Sequence, residues 1–170
     1  MDASLKAKST KIFALATLYD TNTDLVKDQD PDAVEENEKL LTDHWSTVSN
    51  HMADWRKALS GQKMAESISA HSTVLRALCG LGAEPMKSSD WKERLVALAE
   101  VDWSKNNPDW QNVCIVANSV VSNRQARAAT KAYINGRLGM DLTEAEQRSV
   151  RTPLRGRAAL SPVNPDELGL

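Results

Sequence analysis

Arg124, Arg127 and Lys131 stand at i, i+3 and i+7 of a helix-forming stretch that opens beside Asn123. Three cations on one helical face can each neutralise a nucleic-acid phosphate, and the free N–H groups at the start of such a helix can hold a phosphate oxygen. The stretch contains no acid that would pair with them along the helix. An ordinary solvated face is the competing reading, and the residues alone leave both open. Arg148, Arg151, Arg155 and Arg157 continue the positive region, but Pro153 forbids one continuous stripe, so they form either a basic arm or a soluble tail. The chemistry expected here is backbone-phosphate contact. Readout of base sequence does not follow, because phosphate contacts position a protein without conveying sequence.

Other reactive side chains support less. Trp103 and Trp110 bracket Asn106-Asn107-Pro108. They are read first as rings anchoring an irregular loop, with base stacking as the alternative. His44, His51, His71, Cys79 and Cys114 are the soft-metal ligands, and none has zinc-site spacing, so no metal and no cofactor is expected. His71 is read as a hydrogen-bonded histidine at a helix interface. The two cysteines sit among apolar neighbours, which predicts reduced, partly buried thiols. A glycine-rich phosphate loop is missing, and the acids of Asp20 to Glu38 lack the central glycine of a calcium loop. These features predict a protein without catalytic activity.

The 170 residues fit one domain, and the composition, with 41% hydrophobic and 26% charged residues, is that of an ordinary soluble protein. The net charge of −2 conceals opposite blocks: Asp20 to Lys39 holds eight acids and two lysines, whereas Arg124 to Arg157 holds eight basic residues and three acids. The acidic block repels nucleic acid and the basic one attracts it. With no membrane-length apolar run and no cleavage site after the first lysines, a cytoplasmic location is expected.

Abundant Ala, Leu, Lys, Glu and Gln predict an all-α fold, an irregular bundle of about six helices over residues 1–157 with a flexible, disordered tail over 158–170. The first helix is expected from Ser4 to Leu18, broken by Asp20-Thr21-Asn22, with a short turn after it. A second opens at Asp30-Pro31 and carries the seam Leu41, Trp45, Val48, Met52, Trp55 and Leu59. That seam faces either the core or, through Trp45 and Trp55, another chain. Further helices are expected from Ala65 to Cys79, Asp90 to Glu100, Arg124 to Leu138, and after the capping box Thr143/Glu146. Asn112 to Val121 fits a short buried helix or a strand-like run, and helix is favoured.

Read in order, several segments together resemble the C-terminal half of the DndB family, the DNA sulfur modification proteins of the bacterial phosphorothioation system. They are Ser9 to Leu15, Ser69-Ala70-His71-Ser72 with Leu81-Gly82, Val101-Asp102-Trp103 with Trp110, and Leu138-Gly139 before Leu142-Thr143. The family's Asp-Gly-Gln-His-Arg region is missing, so the chain is expected to be a fragment or truncated product. The resemblance implies work beside the enzymes that place sulfur in the DNA backbone, and regulation of the modification genes by DNA binding. Combined with the residues, it predicts a non-catalytic DNA-binding or regulatory domain. The alternative is an interaction module, a homodimer or a docking unit for other DNA modification proteins.

Overall fold

The computed structural model describes residues 13–59, 66–83 and 90–152. Among them the order is α1 (Leu15–Val26), α2 (Val34–His51), α3 (Ala53–Leu59), α4 (Ser72–Ala83), α5 (Trp91–Leu95), a 3-10 turn (Val96–Glu100), α6 (Trp110–Val113), β1 (Ile115–Val116), β2 (Ser119–Val120), α7 (Arg124–Arg137) and α8 (Glu144–Arg151). The all-α class holds, with more and shorter helices than expected. The tail over 158–170, with Arg155 and Arg157, lies outside the described residues.

The expected break at Asp20-Thr21-Asn22 falls inside α1. Polar residues there bond back along the helix instead of opening it: Thr21 Oγ1 donates to the Thr17 carbonyl at 2.9 Å and Thr23 Oγ1 to that of Tyr19 at 3.0 Å. Arg76 of α4 also meets Asp20 at 2.6 Å and Asp24 at 3.9 Å, which ties α1 to α4. α2 begins later than Pro31 because Asp30 is spent on a turn, its Oδ1 accepting from the Asp32 N–H at 3.0 Å. The long seam is interrupted at Met52, between α2 and α3, yet Val48, Met52 and Trp55 all remain buried.

Residues 66–71 do not begin the next helix. They run beside the tryptophan loop, with the Ile68 N–H donating to the Trp103 carbonyl at 2.9 Å and that of Lys105 to the Glu66 carbonyl at 2.7 Å. α4 therefore starts at Ser72, and Gly80 lies within it rather than ending it. The helix expected across Asn112 to Val121 is also corrected. One turn, α6, gives way to an antiparallel hairpin pairing Ile115 with Val120 and Val116 with Ser119. β-Branched residues suit that pairing, and Ala117 and Asn118 close it with φ of 47° and 61°, the twist a two-residue hairpin turn requires.

The core gathers around Trp110, which is fully buried. Its ring stacks on Trp103 at 5.5 Å and meets Tyr133 of α7 at 4.6 Å. Both indole N–H groups are satisfied locally, that of Trp110 by the Asp102 carbonyl at 2.8 Å and that of Trp103 by the Leu98 carbonyl at 3.3 Å. The tryptophan loop is thus scaffold, and neither ring is open to a base.

Candidate nucleic-acid interface

α7 forms where its sequence predicts, because Asn123 caps it and small residues let it lie close to its neighbours. Asn123 Oδ1 accepts from the Ala126 N–H at 2.8 Å. Ala126, Ala129, Ala132 and Ile134 are fully buried, which turns Arg124, Arg127 and Lys131 away from the core. Arg124 is exposed, while Arg127 and Lys131 are half-buried. None of the three has a carboxylate within ion-pair distance among the described residues. The Arg127 Nε donates to the Asn123 carbonyl at 3.3 Å, which holds its guanidinium over the start of the helix.

Lys131 differs from the two arginines. Its stem crosses α4 at Gly80, where a Cβ would come within 3.3 Å of the Lys131 Cδ. Its ammonium also acts on Glu146 of α8. Burial works to raise the Glu146 pKa, but the Thr143 hydrogen bonds, the Lys131 charge and the Asn135 amide together hold it below the usual carboxylate range. Lys131 therefore spends part of its charge inside the fold, and Arg124 and Arg127 are the freer members of the ridge.

Sequence reasoning missed the partner of this end. Thr73 Oγ1 donates to the Val121 carbonyl at 2.9 Å, and the Ser72 and Ser122 hydroxyls are 3.5 Å apart. Since Gly80 also meets Lys131, α4 and α7 run side by side in the same direction, and both start at one end of the molecule. Neither has an acid in its first turn. Two helix starts and two arginines thus share one positive end. His71, whose Nδ1 accepts from the Thr73 N–H, stands before α4 and Ser122-Asn123 before α7; only the second is visible as a capping signal, and their proximity depends on long-range packing.

Arg148 and Arg151 sit exposed in the last turn of α8, where cations also suit the negative helix end. α8 is opened by its capping box and held to α7 by the Asn135 amide, which donates to Glu146 Oε1 at 2.9 Å. Gly139, at φ 68°, lets the chain fold back between them. The acids Asp28, Asp30, Asp32, Glu35 and Glu36 are exposed on the connection into α2 and its first turn.

Trp55 is buried in the chain's own core, against Phe13 at 4.8 Å. Trp45 is half-buried, and its indole N–H donates to Asn22 of α1 at 2.7 Å. The middle of the seam is therefore occupied within the monomer. His71 accepts from the Thr73 N–H at 3.3 Å, the hydrogen-bonded role expected of it. Cys79 and Cys114 are free, buried thiols. Among the described residues, no cluster could hold a metal ion, and no helix is long and apolar enough to cross a membrane.

A family model described as DndB, DNA-sulfur modification-associated, matches residues 1–141. That span includes Arg124, Arg127 and Lys131 but ends before α8 with Arg148 and Arg151. Comparison with curated proteins and with solved structures gave no match.

Proposed function

We propose that this chain, which belongs to the DndB family of DNA-sulfur modification-associated proteins, is a non-catalytic DNA-contacting domain that regulates the modification genes. The observation that carries the reading is the shared positive end: α4 and α7 open together without first-turn acids, beneath Arg124 and Arg127, whose charges face no carboxylate among the described residues. Two helix starts and two guanidinium groups suit the oxygens of a phosphate backbone, and planar guanidinium can grip them in pairs. Lys131 adds to the field, while Arg148 and Arg151 widen it from α8.

Backbone contact of this kind releases counterions, so affinity for duplex DNA falls steeply as salt rises. Fluorescence anisotropy against a labelled duplex at several salt concentrations measures the slope. Replacing Arg124, Arg127 and Lys131 together with Ala should lower the log–log slope by up to about three, with Arg124 and Arg127 supplying most of it. An unchanged slope and affinity in the triple variant would reject this face. The alternative interaction module is tested by sedimentation at rising protein concentration: self-association with no affinity for DNA would favour it.

A further inference from the structure

α2 carries a histidine that the interface does not use. His44 is fully buried, and its ring stands edge-on to Trp45, with centroids 4.9 Å apart. Among the described residues, neither Nδ1 nor Nε2 has a hydrogen-bond partner in good geometry. One ring nitrogen of a neutral imidazole must carry a proton, so apart from the Leu78 backbone, which acts on the ring, its polar atoms lack a well-formed partner, a costly arrangement in an apolar interior.

The charged groups of the surrounding elements are engaged or exposed elsewhere. On α4, Arg76 is held by Asp20 and Asp24 of α1, and the Cys79 thiol donates to the Thr21 carbonyl. On α3, Lys57 pairs with Asp54, and Arg56 donates to the Asn50 carbonyl. Arg94 of α5 pairs with Asp90, while Lys92 and Glu93 of α5 and Glu100 of the 3-10 turn are exposed. On α2 itself, neither Lys39, which is exposed, nor Asp43 exerts a charge effect on the ring; burial and, in opposition, the Leu78 backbone act on it. An imidazolium here would thus be buried from water, with no counter-charge among the described residues.

We propose that His44 is an acid-labile latch: as a neutral ring it lets α2 seat against the body of the fold, and on gaining a proton it forces α2 off. α2 packs on α1, α3, α5 and the 3-10 turn, so its release uncovers Trp45 and, through the contact of the two rings, Trp55.

Burial lowers the His44 pKa from 6.5 to about 4. Because the folded value lies below the unfolded one, stability is complete above pH 6.5 and is lost as pH falls from 6.5 towards 4. Between pH 7 and 5 His44 alone should raise the unfolding constant roughly 20-fold. His71, lowered by burial as well, adds its own share. Urea unfolding followed by tryptophan fluorescence at both pH values, in the natural protein and in His44→Leu, isolates the effect. The variant should lose that roughly 20-fold increment and keep the share of His71; an equal pH response in both proteins would overturn the proposal. Proton NMR of the natural protein decides the matter even where the variant does not fold. The His44 ring should stay neutral in the folded protein well below pH 6, and a titration near 6.5 in the folded state would overturn the latch.

Discussion

Replacing Tyr133 with Phe tests whether the tryptophan loop is fastened to α7 by a polar bond as well as by packing. The Tyr133 phenol donates to Asp109 Oδ2 at 2.7 Å, from a side chain that is 2% exposed, while its ring rests on Trp110. Burial first, and the Asp109 carboxylate second, push the phenol pKa well above its usual value. A hydrogen bond to a charged group is worth about 1.5–3 kcal/mol. Asp109 is half-buried and regains water when the phenol oxygen is removed, so the lower end, about 1.5 kcal/mol, is expected. For a chain of this size that is a melting-temperature loss of about 3–6 °C. Chemical denaturation of Tyr133→Phe, Asp109→Ala and the double variant forms a cycle, in which the two single losses should overlap by about 1 kcal/mol or more. Additive losses, or a Tyr133→Phe protein within about 0.5 kcal/mol of the original, would mean that packing alone holds the loop and that the short contact contributes nothing.

Three further outcomes follow from the buried thiols and the left-handed turn. Burial pushes the thiols of Cys79 and Cys114 up to about 12. A thiol-specific reagent at pH 8 should therefore label them only as fast as the protein unfolds, whereas rapid labelling of the folded protein would contradict their burial. With folded values above the unfolded 9.0, their contribution to stability is present below pH 9 and is lost as pH rises past it. Ala117 holds φ 47° at the hairpin turn, a conformation glycine adopts without steric penalty. Ala117→Gly should raise the urea midpoint by an amount equivalent to about 0.5–1 kcal/mol, and a lowered midpoint would contradict the left-handed geometry.

Local signals were legible where the chain decides structure locally. Asn123, the Thr143/Glu146 capping box and Gly139 mark α7 and α8 because each meets backbone groups within a few residues. The errors arose where distant partners decide. Asp20, Thr21 and Asn22 look like breakers until Arg76 and Cys79 of α4 and Trp45 of α2 engage them. Residues 66–71 look helical until the Trp103 strand-like stretch takes their hydrogen bonds. Val113 to Val121 has an apolar pattern that suits helix or strand, and the positive φ at Ala117 and Asn118 that resolves it leaves little mark in an Ala-Asn pair. At the candidate site, the spacing of Arg124 and Arg127 is a sequence property. The proximity of Ser72 to Ser122 is not, because it depends on how α4 packs against α7.

Most neighbouring helices in a compact bundle alternate direction, so their dipoles cancel. α4 and α7 do not, and their aligned peptide groups sum to a fixed moment whose positive pole coincides with Arg124 and Arg127. The exposed acids of the α2 entrance carry charge of the opposite sign. On the proposed reading, the side that a polyanion would meet first is the one where the two helices begin.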